Sequence, residues 1–443
     1  MTKNLMILAV NYPPYDGGRI GSSIRMYSLS QFFANQGYNV YVVIPRRFSK
    51  DRESPESHKN VSMIFYGSLF HYYDHAKNLP FRHKLIKRIL SMAKRFAGVL
   101  FVNAVDLYSF RHTTLCERLI REKEISTIIS SSPPLSVMSL AHKLKMHFGD
   151  KLLWIADVRD LSHMHPTGKS KKGYYLSRQE KSEADLIAAS DAYLLVSLGM
   201  KRALETVFIK HGYGTAILNK GLIIENGFMD VALVKPQPEV LEFSLMARKE
   251  KRIILLYAGT GSLATRNNPA GGNKALDRFM SVLSENLEIS KKYALILQGV
   301  IKNSTNYFSE VKTLLKYLIL TPVSNVQMRA NMSLADIGIN INTDVVYAPL
   351  IMGGKVYDYC ASELALLLVF PDNAYSLQDF SKIHEEKPYF ANVFDPESIK
   401  KVLEKIADDP DQLQKRKFSK VEMEIHSREY QFKKILGYLE NSN

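Results

Sequence analysis

The chain has 443 residues, with 59 Lys and Arg against 44 Asp and Glu, a formal charge of +15. Hydrophobic residues at 46% and charged residues at 23% describe a chain that buries a core, which excludes a disordered polymer, and 23 Gly with 17 Pro exclude a fibrous repeat. One core rarely grows to this length, so about two domains of roughly 200 residues each are expected, and the positive field favours nucleic acid, acidic lipid or phosphorylated small molecules as partners.

Residues 5–10 form a short apolar run. It ends at Asn11-Tyr12-Pro13-Pro14 without a small-residue cleavage site, so it predicts a buried strand rather than a secretion signal. A glycine loop follows, Asp16-Gly17-Gly18-Arg19-Ile20-Gly21. Residues 22–35 are helical in pattern, with Ile24, Tyr27, Leu29, Phe32 and Phe33 on one apolar face and Gly37 at the end. Residues 40–44 are continuously apolar, as in a parallel sheet buried on both faces. Strand, helix and strand make a βαβ unit that opens a doubly wound domain.

Residues 75–105 contain no Asp or Glu and seven basic side chains: Lys77, Arg82, Lys84, Lys87, Arg88, Lys94 and Arg95. Phe81, Leu85, Ile86, Ile89, Leu90, Ala93, Phe96, Leu100 and Phe101 recur at helical spacing, with the bases largely on the other side. This is the pattern of a helix lying in an anionic membrane surface, and the basic amphipathic segment is taken as 77–105. The alternative is a core-packed helix with a solvated basic face.

Further strands are expected at 127–129, 152–156, 192–196, 216–218 and 221–225. Three of their exits are polar or charged: Ser130-Ser131-Ser132-Pro133-Pro134, Asp157-Val158-Arg159-Asp160 and Asn226-Gly227. In open α/β sheets such exits are where functional residues gather. Asn226-Gly227 reads as a turn. Residues 231–250, with Pro236, Pro238 and a charged run, read as a linker. A second α/β pattern has strands at 253–257, 293–297, 337–341 and 366–370, and 415–439 is helical and charged. Two such domains imply a cleft holding a ligand. No run reaches the ~20 apolar residues that span a bilayer, so a soluble or surface-attached protein is expected. Cys116 and Cys360 are read as buried thiols, and His163 and His165 as polar loop residues, since no metal-ligand spacing is present.

Five segments, in order, resemble glycosyltransferase family 4 of the bacterial surface-polysaccharide type. They are Asn11-Tyr12-Pro13-Pro14-Tyr15-Asp16-Gly17-Gly18 with Arg25 and residues 36–40; Asp157-Val158-Arg159-Asp160; Ile224-Glu225-Asn226-Gly227-Phe228; Tyr257-Ala258-Gly259-Thr260-Gly261 with Arg266-Asn267-Asn268-Pro269; and Gly354-Lys355-Val356-Tyr357-Asp358-Tyr359. The resemblance implies a GT-B fold, two Rossmann-like doubly wound α/β domains facing a cleft. Residues 1–235 would bind the acceptor and 250–414 the nucleotide-sugar, with 415–443 as a helix packing back on the first domain.

It also implies site residues. Arg266 and Lys274 match the basic pair that stabilises a leaving diphosphate, whose charge grows in the transition state. Gly259, Gly261, Gly353, Gly354 and Lys355 would line the donor site, and Asp358 would hold the donor ribose. Gly17, Gly18, Arg19, Asp157 and Arg159 would meet the acceptor. Asp160 is a candidate catalytic residue, although an internal Arg159–Asp160 salt bridge is an equal reading. One departure stands out: the family's earlier Glu falls on Leu350. Implied partners are a nucleotide-sugar donor, a lipid-linked glycan acceptor and an anionic membrane surface, with no metal, no further cofactor and no nucleic acid. The implied location is cytoplasmic, on the inner face of the plasma membrane. A non-catalytic nucleotide-sugar or glycan binder of the same fold is the second reading.

Overall fold

The computed structural model describes residues 3–13, 20–45, 58–66, 109–164, 173–230, 234–259, 274–299, 314–342, 348–350, 352–375, 379–380, 384 and 387–442. The basic segment, with Arg82, Lys84, Lys87, Arg88, Lys94 and Arg95, lies outside the described residues, as do Gly17, Gly18, Arg19, Gly261 and Arg266. The chain forms two compact units, residues 1–225 with 432–443, and residues 226–431.

The first unit runs β1 (Asn4–Leu8), α1 (Ile20–Asn35), β2 (Asn39–Pro45), β3 (Val61–Tyr66), α2 (Ser109–Glu122), β4 (Thr127–Ser132), α3 (Leu135–Phe148), β5 (Leu153–Val158), α4 (Gly173–Ala189), β6 (Ala192–Leu195), α5 (Leu198–Lys210) and β7 (Gly221–Ile223). All pairings are parallel, in the order β3-β2-β1-β4-β5-β6-β7. Strands covered by helices on both faces need apolar side chains on both, and every residue of β1 and β4 is buried. The order reverses between β1 and β4, so the loops leaving these two strands flank a switch point. The expected strand at 216–218 is instead part of a 3-10 turn, Thr215–Lys220, none of whose residues is buried. The apolar run Ala216-Ile217-Leu218 is only three residues long, closed by Asn219 and Lys220.

The second unit runs α6 (Pro238–Lys249), β8 (Ile253–Ala258), α7 (Lys274–Glu285), α8 (Leu287–Lys292), β9 (Tyr293–Gln298), β10 (Lys316–Leu320), α9 (Asn325–Met332), β11 (Ile337–Ile341), α10 (Gly354–Ala361), β12 (Ala365–Phe370), β13 (Tyr389–Asn392), α11 (Pro396–Asp408), α12 (Pro410–Lys415) and α13 (Lys420–Met423), and the chain ends in α14 (Arg428–Ser442), which belongs to the first unit from Phe432 on. Its parallel sheet has the order β10-β9-β8-β11-β12-β13, with the switch point between β8 and β11. The stretch read as a linker contains α6, which opens with Pro238 in its first turn and buries Val240, Phe243, Ser244 and Ala247. Proline belongs at a helix start because its missing N–H is unpartnered there anyway.

Within the second unit, the segment after Asn226 runs beside the segment before α14. Phe228 bridges Ser427 in parallel; the Phe228 N–H donates to the His426 carbonyl (3.2 Å) and the Arg428 N–H to the Phe228 carbonyl (2.9 Å). Gly227 is required there. Its φ is +55°, and a Cβ would lie 2.5 Å from the His426 oxygen. From α14, Phe432, Ile435 and Leu439 enter the core of the first unit, among Leu5, Phe33 and Ile129. Their spacing of three and four puts them on one helix face.

Candidate functional site

In the first unit, three segments meet at the exits of β4, β5 and β7. Arg25, in the second turn of α1, is buried and donates to Asp157 from Nη2 (2.9 Å) and Nε (3.2 Å). Its remaining donors take the carbonyls of Glu225 (2.7 Å) and Ile224 (3.0 Å). Ser131 Oγ donates to the other Asp157 oxygen at 3.1 Å. Asp157 is 0% exposed, and its carboxylate serves as an internal brace. The sequence expectation had Asp157 meeting the acceptor; in the structure its oxygens are taken up by the Arg25 guanidinium and the Ser131 hydroxyl.

Arg159 and Asp160, one turn of loop beyond, are only partly buried. Arg159 donates from Nη2 to the Pro133 carbonyl at 3.2 Å, and its backbone N–H to the Ser132 carbonyl at 3.0 Å. Burial pulls the Arg159 guanidinium down, while Asp157 and Asp160 support its charge. The loop after Asp160 is tied down by Glu183, which accepts from the backbone N–H groups of Ser162 (2.8 Å) and His163 (3.2 Å) and meets the His163 ring nitrogen Nδ1 at 2.7 Å. This anchor was invisible in the sequence, because Glu183 lies on α4, twenty residues away from the loop.

In the second unit the switch point gathers the β8 exit at Gly259 and the N-terminus of α10. Gly259 donates its N–H to the Gln298 carbonyl (3.0 Å), and the Ala258 N–H donates to the Tyr359 hydroxyl (2.7 Å). The Tyr359 ring lies on Gly338, where a Cβ would come within 2.3 Å of it. This contact seats α10 against the sheet. Gly353 is the helix N-cap, and a Cβ built on Gly354 meets open space. The first amides of a helix point outward and attract negative charge. Lys274 begins α7, and nothing of its side chain is described.

Asp358 lies four residues after Gly354, on the same face one turn further along α10. Its side chain is 15% exposed, and Arg329 Nη1 stands 3.8 Å away. Among the described residues no donor is within hydrogen-bonding distance of this carboxylate. Burial pushes its pKa up; Arg428, Arg329 and Lys355 pull it back. Lys355 projects from the surface, yet surrounding protein lowers it against the pull of Asp358. Leu350, where the resemblance would have Glu, is buried at 5% exposure. Among the described residues, no group of three or more His, Cys, Asp or Glu is placed to hold a metal ion, and no helix is long and apolar enough to cross a membrane. Cys116 and Cys360 are free and buried.

No protein-family model matches the chain, and no curated protein matches its sequence. Solved structures do match over the whole length. Sucrose-phosphate synthase from Thermosynechococcus elongatus aligns with a TM-score of 0.66 at 11% identity, covering 100% of both chains. The α,α-trehalose 6-phosphate synthase of Burkholderia multivorans gives 0.59 at 10%, covering 100% of this chain and 99% of the other. Anabaena HepE, in complex with UDP, gives 0.58 at 11%, covering 99% of this chain and 100% of the other. The fold is GT-B. At such identities the likeness is one of architecture, and the GT-B frame fixes where strand exits lie without fixing what they bind.

Proposed function

We propose that this GT-B protein is a retaining, metal-independent glycosyltransferase. It moves a sugar from a nucleotide donor to a hydroxyl of a lipid-linked glycan in surface-polysaccharide assembly, at the cytoplasmic face of the plasma membrane. The observation that carries the reading is the switch point of the second unit. There an open helix N-terminus at Gly354 and the partly exposed carboxylate of Asp358, with no hydrogen-bond donor among the described residues, share one helix face. A partly exposed carboxylate with no protein donor keeps acceptor sites that a ligand rich in hydroxyls can use. The two hydroxyls of a ribose are such donors, and helix amides suit the diphosphate of the same molecule.

In this reading the acceptor oxygen bonds to the anomeric carbon on the face from which the diphosphate departs. The carbon–oxygen bond to the diphosphate breaks, and the acceptor proton passes to a departing phosphate oxygen. Arg266 and Lys274 balance the growing phosphate charge. Arg159 and Asp160 meet the acceptor, and the 77–105 segment holds the enzyme to acidic lipid, each basic residue contributing about 1 kcal/mol near such a surface.

A thermal-shift screen of UDP-, GDP- and dTDP-sugars tests the donor site. A ligand at a hundred times its Kd stabilises the native state by about 2.7 kcal/mol; no shift with any of the three sinks the reading. Arg266→Ala is expected to lower turnover by orders of magnitude with an unchanged melt. Flotation with anionic liposomes, against neutral ones, tests the membrane segment: equal binding to both removes it. The buried Leu350 favours one second reading, a nucleotide-sugar binder without transfer, which donor hydrolysis or transfer by the purified protein excludes.

A further inference from the structure

The sequence gives no reason to notice Arg329, on the short helix α9, yet it is one of the most constrained side chains of the second unit. It is 5% exposed. Nε donates to Ser362 Oγ (3.0 Å), Nη1 to the Met229 carbonyl (3.0 Å) and Nη2 to the Ala361 carbonyl (3.1 Å). Its guanidinium lies 5.7 Å from the Phe228 ring centroid. Three hydrogen bonds on three different nitrogens fix the plane of a guanidinium. Two of the three partners, Ala361 and Ser362, are the C-terminal end of α10, where a cation also complements the helix dipole.

Asp358 is not among those hydrogen-bonded partners. At 3.8 Å its carboxylate feels the charge but makes no hydrogen bond with it. Arg329 is thus held by backbone and hydroxyl, and its charge is presented to Asp358 without using up the carboxylate's acceptor sites. A tighter pair would consume them.

We propose that Arg329 is a positioning residue for the nucleotide: it holds α10 in place from its C-terminal end and keeps the Asp358 carboxylate charged and open for the ribose hydroxyls. This rests on the donor-site reading of the preceding section. The charged groups facing Asp358 are Arg329 from α9, Lys355 from its own helix and Arg428 from the start of α14, and Asp230 faces Arg329 in turn. The neighbouring Tyr359 and Cys360 are pushed up chiefly by burial and further by Asp358, so neither contributes charge. Burial already raises Asp358. Removing one of its three cations raises it further, and the acceptor form is then lost at a higher pH.

The experiment is calorimetric titration of the full chain with UDP and GDP and with their 2′,3′-dideoxy counterparts, from pH 8 down to pH 5. The variants are Arg329→Met, Arg329→Lys and Asp358→Asn, each checked by its thermal melt. The wild type is expected to prefer one ribonucleotide over its dideoxy form by at least tenfold. Arg329→Met is expected to lose about tenfold for the ribonucleotide and nothing for the dideoxy form, with its remaining preference fading at a higher pH than in the wild type. Asp358→Asn loses the preference at every pH. Arg329→Lys keeps a charge without the fork, so it retains the wild-type pH profile at reduced affinity; it carries the test if the Met variant fails to fold. Wild-type preference and pH profile in both Arg329 variants, or equal losses for ribo and dideoxy forms, overturn the proposal alone. No binding of UDP or GDP by the wild type overturns the donor-site reading, and this proposal with it.

Discussion

Each unit sets a buried arginine beside an aspartate, and the two pairs are built to different ends. In the first unit Arg25 and Asp157 are 3% and 0% exposed at the side chain and meet at 2.9 Å; Ser131 fills the second carboxylate oxygen. In the second, Arg329 and Asp358 are 6% and 15% exposed and stand 3.8 Å apart, with no hydrogen bond between them. Both arginines also hold backbone carbonyls close to Asn226 in the chain, at Ile224 and Glu225 for Arg25 and at Met229 for Arg329. What separates the pairs is the acceptor capacity left on the carboxylate. The first carboxylate has its acceptor sites used inside the protein; the second keeps sites that a ligand or solvent can use.

The sharpest way to break this comparison is to remove one partner from each pair. Asp157→Ala leaves Arg25 buried without its counter-charge and is expected to cost about 3–5 kcal/mol in denaturant unfolding. The double variant Arg25→Met with Asp157→Leu is expected to recover much of that loss, because neither charge then remains inside. Next in size is Gly338→Ala, whose new methyl would meet the Tyr359 ring within 2.3 Å. Overpacking of this kind costs about 1–3 kcal/mol. Since Tyr359 seats the helix bearing Asp358, nucleotide affinity should fall along with stability. An unchanged affinity would separate the open pair from its helix.

A pH titration probes a third buried pair, outside both. His384 and His426 meet through their Nε2 atoms at 2.9 Å inside the second unit, and burial, reinforced by His426, lowers His384 from the ordinary 6.5 to about 4. A base whose folded value is depressed is neutral when folded and protonated when unfolded between those two values. Stability is therefore complete above about pH 6.5 and declines as the pH falls towards 4. His384→Phe should flatten that decline in the melting temperature; an equally steep decline in the variant would assign it to other groups. The smallest effect belongs to Asp358→Asn. Removing a charge that makes no hydrogen bond should move unfolding by less than about 1 kcal/mol, against several for Asp157→Ala. Equal losses would mean that the two pairs are one kind of thing.

Most of the fold was legible because parallel strands buried on both faces leave continuous apolar runs, such as residues 40–44 and 366–370. The edge strand β7 was expected within 221–225, but the edge strands of the second sheet did not stand out. β10 and β13 each pair on one side only and carry mixed sequences, KYLIL and YFAN. The site was legible where it rests on a local run, as in the glycines and Asp358 of α10. Asp157 was visible as a residue but not as a brace, since its partner Arg25 is 132 positions away. Arg329 was missed for the same reason: its ties run to Met229, Ala361 and Ser362, and nothing in the sequence of α9 announces them.

The passage of the chain back into the first unit has a consequence in time. Synthesis completes β1 to β7 long before Phe432, Ile435 and Leu439 exist, yet these three belong to that unit's core. Each buried side chain of this size contributes about 1.5–3 kcal/mol, so the nascent first unit waits with an apolar groove uncovered while the second is made. The domain that is begun first is finished last. A stop codon before residue 432 would leave the second unit with all of its strands and the first with a hole in its centre.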